Sequence, residues 1–272
     1  MIKYLIILAQ LTLLFFSSTV WAATLVESNW STGSTCNTTN LADGVWVGAF
    51  ETADCSTYLG IGTGGPGDRN YLRYKFYTSD VGSVLFNNPS SLSNPSTVYV
   101  RFWINIRTFT GGNMHIIWLN NEVGNYGACL YRGYTTGDFS ILPNGSSSPY
   151  HYSPGNLSLN TWYRLEYKVT GGGSSSGSIE VRLDGVDITD SMLLEDGGGA
   201  TLADNNGNLT IPAINYTYLS MYYDSFHSST NNFIDITGYK ITDGPDWIGG
   251  DDEAPTPSRK LNNVTGNRVS LH

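Results

Sequence analysis

The stretch from Trp162 to Thr189 does most to limit the fold. It reads Trp-Tyr-Arg-Leu-Glu-Tyr-Lys-Val, then a Gly/Ser tract at Gly171–Gly177, then Ser-Ile-Glu-Val-Arg-Leu-Asp-Gly-Val-Asp-Ile-Thr. In the first arm Tyr163, Leu165, Tyr167 and Val169 alternate with Trp162, Arg164, Glu166 and Lys168. In the second, Ile179, Val181 and Leu183 alternate with Glu180, Arg182 and Asp184. Period-two alternation on both sides of a flexible link predicts an antiparallel hairpin with one buried face. Asp184-Gly185 then supplies a tight turn, because glycine tolerates positive φ.

The same alternation recurs along the chain. Thr24–Trp30 and Val45–Phe50 read as short strands, and Gly60–Asp68 as a Gly-rich loop. Over 70–78, Leu72, Tyr74 and Phe76 form one face, and Tyr71, Arg73, Lys75 and Tyr77 the other. Over 98–106, Val100, Phe102, Ile104 and Ile106 oppose Tyr99, Arg101, Trp103 and Asn105, so two strands offer a matching Tyr/Arg outer row. Residues 113–120 are apolar on both faces apart from His115, which suits a central strand. Residues 126–131, 216–223 and 232–241 supply further strands. Residues 143–160 read as a long loop centred on Tyr150, His151 and Tyr152, and 187–209 as an acidic, Gly-rich excursion. No long segment carries 3.6-residue periodicity. The expectation is an all-β chain folded as a two-sheet antiparallel sandwich.

A Trp opening a strand, an aliphatic-Glu-aromatic core, a Gly-rich loop and a strand closing on Leu183-Asp184-Gly185 resemble the concanavalin A-like lectin/glucanase superfamily. Phe233-Ile-Asp-Ile-Thr-Gly-Tyr239, ending in Asp246-Trp-Ile-Gly249, is similar to that group's last strand and its terminal Ile-Gly. The resemblance covers residues 24–249. It implies a jelly-roll β-sandwich with the first and last strands side by side. The group includes laminin-G-like modules and polysaccharide lyases, so the likeness implies no single activity.

The ends read differently. Residues 1–23 have a short positive start at Lys3, an apolar run from Tyr4 to Phe16 and small residues at Ala22 and Ala23. This is the pattern of a secretory signal peptide, which implies an extracellular or periplasmic protein with no stable membrane insertion. Residues 250–272 begin with the acidic, Pro-bearing linker Asp251–Pro257, and Leu261–His272 could open a further module. Of the three cysteines, Cys36 and Cys55 flank one polar segment and are candidates for a disulfide in an oxidising compartment, while Cys129 on a strand reads as a buried thiol.

The net charge of −9 is unevenly spread. Residues 69–168 hold eight basic and four acidic side chains, whereas residues 180–253 hold two basic and fourteen acidic. A locally basic region in an acidic protein can attract an anionic ligand, or it can be an ordinary solvated face. The acidic whole, the secretion signal and the lack of a known motif argue against nucleic acid as a partner.

The chemistry narrows further. A glycosidase needs two placed carboxyls. The resembling glucanases carry them as Glu-x-Asp-x-x-Glu, but Asp235 here has no such neighbours. Glu166 and Glu180 both stand beside basic residues, which favours cross-strand ion pairs. A polysaccharide lyase instead neutralises a uronate carboxylate and moves a proton with His or Tyr. The resemblance to concanavalin-like alginate lyases implies roles for three short pieces. Arg69-Asn-Tyr-Leu-Arg73 is similar to their Arg-rich motif without its Glu, Asn113-Met-His115 to their Gln-x-His, and Tyr131 or Tyr134 to their tyrosine. Arg73 and Asn113 would then neutralise the carboxylate, His115 would be the base and Tyr131 the acid. A buried His satisfied by a neighbour is the structural alternative for His115.

A binding module asks less. Tyr71, Lys75, Arg101, Trp103 and Asn105 combine aromatic, guanidinium and amide groups suited to anionic sugars, unless that face is a second packed layer. Asp204, Asn206 and Asn208 offer oxygens for a structural calcium ion, or form an Asn/Asp-rich turn. They lack the Gly and Glu of an EF-hand, and no cofactor is required by either reading. The sequence thus points to an extracellular polysaccharide as partner. The enzymatic version is a lyase on an acidic glycan, and the alternatives are a carbohydrate-binding module or an adhesive laminin-G-like module.

Overall fold

The computed structural model describes residues 24–28, 47–49, 59–76, 84–87, 92, 94–108, 114–120, 128–132, 139–144, 148–152, 154–155, 157–195, 198–223, 232–244 and 246–249. The expected signal peptide at 1–23, Cys36, Cys55, Asn113 and the tail at 250–272 lie outside them. In chain order the strands are β1 (Thr24–Ser28), β2 (Val47–Ala49), β3 (Leu59–Gly62), β4 (Tyr71–Phe76), β5 (Val84–Asn87), β6 (Thr97–Thr108), β7 (Met114–Asn120), β8 (Ala128–Arg132) and β9 (Phe139–Leu142). They continue with β10 (Tyr150–Tyr152), β11 (Trp162–Thr170), β12 (Ser174–Leu183), β13 (Val186–Asp187), β14 (Met192–Leu194), β15 (Leu209–Ile211), β16 (Tyr216–Tyr223) and β17 (Asn232–Thr242).

These strands form two antiparallel sheets. The nine-stranded A sheet runs β13-β12-β11-β6-β17-β4-β3, with β1 also paired to β17 and β15 to β12. The eight-stranded B sheet runs β14-β10-β9-β8-β7-β16-β5-β2. The first strand lies on the last, Glu27 opposite Lys240, as the jelly-roll expectation requires. Among the described residues no helix is long and apolar enough to cross a membrane.

The core forms where the alternation said it would. Val98, Val100, Phe102, Ile104 and Ile106 of β6 are all buried, as are Tyr163, Leu165, Tyr167 and Val169 of β11 and Ile179 and Val181 of β12. They join Ile117 and Leu119 of β7 and Phe139 and Ile141 of β9 in one hydrophobic cluster between the sheets. Burying this apolar area is the main favourable term for a sandwich of this kind. One position breaks the period. On β17, Ile234 and Ile236 face the core, and so do Tyr239 and Ile241. A bulge between Thr237 and Lys240 absorbs the extra residue, and Gly238 takes the required positive φ of 60°.

Several boundaries differ from the sequence reading. The link in the organising hairpin is shorter than Gly171–Gly177, because β12 already starts at Ser174. Gly177 is inside that strand, where a Cβ would collide with Ile211 of the paired β15. Asp184 and Gly185 have φ of 51° and 84°, giving the expected tight turn into β13. The long loop expected over 143–160 contains β10, which pairs with both β9 and β14. The excursion over 187–209 contains β14 and a short helix α1 (Leu202–Asn205). Strands of three residues carry too little alternation to register in a sequence, and a helix of four residues too little periodicity.

Candidate functional site

Alternation that buries one face of each sheet pushes the polar residues to the outer faces, and the two outer faces differ. On the A sheet, β17 lies between β4 and β6, so Asp235 falls opposite both Arg73 and Asn105. Asp235 is fully buried. Arg73 donates to it twice, Nε to Oδ1 at 2.6 Å and Nη2 to Oδ2 at 2.9 Å. Arg107 Nε donates to Oδ2 at 2.6 Å. Paired guanidinium–carboxylate bonds of this sort offset the desolvation of a buried charge. The hydrogen bond to Asp235 is the main reason the Arg73 pKa is raised above its ordinary value. Tyr71 lies under the Arg73 guanidinium, 5.2 Å from ring centre to Cζ, and a Cβ at Gly62 would fall within the Tyr71 ring.

The same face is covered by the segment 246–249. Arg101 Nη1 donates to the Gly249 carbonyl at 2.8 Å, and the Gly249 amide donates to Glu166 Oε1 at 2.8 Å. Trp247 sits 4.0 Å from the Arg182 guanidinium and edge-on to Tyr99. Lys168 donates to Glu180 at 2.6 Å, and Arg164 Nε is 3.3 Å from Glu166. Glu166 and Glu180 are therefore engaged in separate polar contacts and are not a facing carboxyl pair.

Of the expected sugar-binding row, Tyr71, Arg101, Trp103 and Asn105 do share this outer face. They are only 8, 3, 3 and 1 % exposed, so they form a second packed layer and not an open trough. Lys75 lies on the same strand as Arg73, opposite Phe233. Of the three residues offered for calcium, Asp204 and Asn206 make local hydrogen bonds. Asp204 accepts from the Thr201 amide at 2.9 Å while Thr201 Oγ1 accepts from the Asp204 amide at 3.1 Å, a capping box on α1. Asn206 Oδ1 accepts from the Ile179 amide at 2.8 Å. Among the described residues no three His, Cys, Asp or Glu gather as metal ligands.

The B sheet gathers a different set. His115 on β7 is the cross-strand partner of Tyr131 on β8 and of Tyr222 on β16. Tyr131 is the partner of Ser140 on β9, and Ser140 of His151 on β10. One transverse row thus runs Tyr222–His115–Tyr131–Ser140–His151. Ser140 Oγ lies 2.7 Å from His151 Nδ1, and His151 Nε2 lies 3.4 Å from Glu195 Oε2. Ser140 is fully buried, so its hydroxyl orients the imidazole and does not present a nucleophile. His151 and Glu195 keep 20 and 49 % of their side chains exposed. With strands about 4.8 Å apart, His115 and His151 stand roughly 14 Å apart along the row.

The catalytic set expected from the sequence is therefore split. His115 and Tyr131 fall together, but Arg73 is on the other sheet, and its charge is spent on Asp235. The short local motif suggested a catalytic arginine, but sheet membership depends on pairing across a long stretch of chain. Tyr222, Ser140 and Glu195 carry no local signal, and His151 stands out only as the centre of a loop, for the same reason: only the register aligns them.

No family model and no curated protein sequence matches the chain. Solved structures do. The cellulose-induced protein Cip1 matches with a TM-score of 0.54 at 16 % identity, over 82 % of this chain and 100 % of its own. A marine PL-14 alginate lyase from Aplysia kurodai matches with a TM-score of 0.53 at 10 % identity, over 81 % and 99 %. An endo-β-1,4-glucuronan lyase from the fungus Trichoderma reesei matches with a TM-score of 0.50 at 10 % identity, over 87 % and 98 %. These proteins share with the chain a two-sheet antiparallel β-sandwich. At these identities the likeness establishes architecture and leaves the activity to the site.

Proposed function

We propose that the protein is a secreted enzyme that cleaves an acidic, uronate-containing polysaccharide by β-elimination on the outer face of the B sheet. The observation that carries this reading is the register that sets His115 between Tyr131 and Tyr222. Elimination needs a base to take the proton next to the carboxylate and an acid to protonate the departing glycosidic oxygen. In this reading His115 takes the proton, and Tyr131 gives one to the leaving oxygen. The electron pair of the broken C–H bond becomes the new double bond as the C–O bond breaks. Tyr222, the other partner of His115, is the second candidate donor. Asn113, two residues before His115, is assigned to the substrate carboxylate, a task that Arg73 no longer shares. The likeness in fold to alginate and glucuronan lyases supports the substrate class.

The test is incubation with a panel of uronate-rich and neutral polysaccharides, following absorbance from new double bonds and retention on immobilised polymer. The expected result is unsaturated product from a uronate polymer, lost in His115→Ala and Tyr131→Phe. Retention without product from any polymer would replace the lyase with a binding module. Equal turnover in His115→Ala would end the assignment of the base.

A further inference from the structure

Two guanidiniums serve one carboxylate on the outer face of the A sheet, and the second is more than the carboxylate needs. Asp235 already accepts two hydrogen bonds from Arg73. Arg107 adds one through Nε, leaving one positive charge uncompensated within the trio. Neither Nη of Arg107, nor Nη1 of Arg73, meets an acceptor among the described residues. The two arginine side chains are 33 and 30 % exposed, while the carboxylate between them is fully buried. The buried anion therefore fixes two guanidiniums with their outer N–H groups turned to solvent. Arginine held this way is pre-organised to receive a planar or tetrahedral oxyanion, because little rotamer freedom remains to be lost.

The surroundings favour a sugar. Trp162 is half-buried and is the cross-strand partner of Asn105, two residues along β6 from Arg107. Its ring meets Tyr71 edge-on at 5.7 Å, and Tyr71 donates its face to Arg73. An indole beside two fixed guanidiniums offers both a stacking surface for a sugar ring and a charge for its acidic substituent. The protein as a whole is acidic, so a polyanion would be drawn to a local site and not to the surface at large.

We infer that Arg107 and Arg73, with Trp162 beside them, form a second glycan site on the A sheet that binds the carboxylate or sulfate group of an acidic polysaccharide. It lies on the opposite sheet from the proposed His115 centre and does not depend on that centre being catalytic. It would hold the polymer while the B sheet works on another part of it, raising the local concentration of substrate.

Retention is measured in the His115→Ala background, so that polymer length stays constant. The probes are a polyuronate, a sulfated glycan of neutral sugars and a neutral glucan. Arg107→Gln removes the outer N–H groups but leaves Asp235 its bidentate partner, and Arg107→Lys restores the charge. The expected result is about tenfold weaker retention of one acidic polymer in Arg107→Gln, largely recovered in Arg107→Lys, with neutral glucan unchanged. Loss on the polyuronate assigns the site to a carboxylate, and loss on the sulfated glycan to a sulfate ester. Unchanged retention of both, or an equal loss for neutral glucan, overturns the proposal. A second measurement uses the unmutated protein: the acidic polymer should slow modification of Arg107 by an arginine-selective dicarbonyl, read by mass spectrometry. Absence of protection by either acidic polymer would also overturn it.

Discussion

Asp235 on the A sheet is fully buried and gripped by Arg73 and Arg107. His151 on the B sheet keeps a fifth of its side chain exposed beside a half-exposed Glu195. Both residues lie on outer faces produced by the same period-two alternation. The difference comes from what lies over them. Asp235 is closed over by Arg73 and Arg107, and residues 246–249, whose backbone is held by Arg101 and Glu166, cover the same face beside those two residues. On the B face a buried hydroxyl steadies one side of an imidazole whose other nitrogen turns towards a carboxylate. A buried, fully engaged charge contributes to the fold, whereas a steadied and reachable one is suited to proton transfer.

The largest effect should appear where the faces are contrasted directly. His115→Ala is expected to lower turnover of a uronate polymer by at least about 100-fold, the usual scale for a lost general base. Arg73→Leu should leave turnover at saturating polymer within a few-fold of the parent and instead lower stability. The cost is about 2–3 kcal/mol, because Asp235 would keep only its single bond from Arg107. Urea unfolding and initial rates, measured on both variants, check the pair. A large loss of turnover with unchanged stability in Arg73→Leu would return Arg73 to the catalytic centre and erase the distinction between the faces.

That pair also marks what was legible in the sequence. The alternation in 98–106 and 162–183 was enough to assign the inner and outer sides of β6, β11 and β12, since a one-residue slip would have buried Arg101 and Glu166 in the apolar core. It was enough to place Tyr71, Arg73, Trp103 and Asn105 on one face. It was not enough to show that β17 inserts between β4 and β6, which supplies Asp235 and turns the proposed trough into a packed polar layer. Nor could it show that residues 246–249 fold back over that layer. His115 was legible as the lone polar residue on an otherwise apolar strand. Tyr131 was set beside it only by the family resemblance, and Tyr222 not at all, because the bulges at 115–117 and 219–222 shift the register in ways that no local pattern reports.

The covering segment can be tested separately. Trp247→Ala should remove the Arg182 and Tyr99 contacts and cost about 1 kcal/mol, the scale of a partly exposed cation–π pair. Turnover should hold, because the segment lies on the A sheet. Faster amide exchange at Gly249, whose N–H is bonded to Glu166, is the accompanying signature. If turnover falls with Trp247 while stability holds, the segment takes part in the reaction and its description as a structural cover fails.

The smallest effect concerns the capping box, which belongs to neither the arginine pair nor the histidine row, and it is a matter of pH. The Asp204 pKa is lowered from its ordinary value of 3.8, chiefly by the hydrogen bond from the Thr201 backbone and then by its side chain. A carboxyl whose folded pKa lies below its unfolded one stabilises the fold at pH values above the unfolded pKa. That contribution fades as pH falls through the folded value. Asp204→Ala should therefore be less stable than the parent near neutrality. The gap should begin to close as pH drops below about 4, because the parent then loses the same charge. Urea midpoints of the two proteins at several pH values between neutrality and pH 3 make the comparison. A gap that stays constant to the acid end would mean that the helix cap depends on the shape of the side chain and not on its charge.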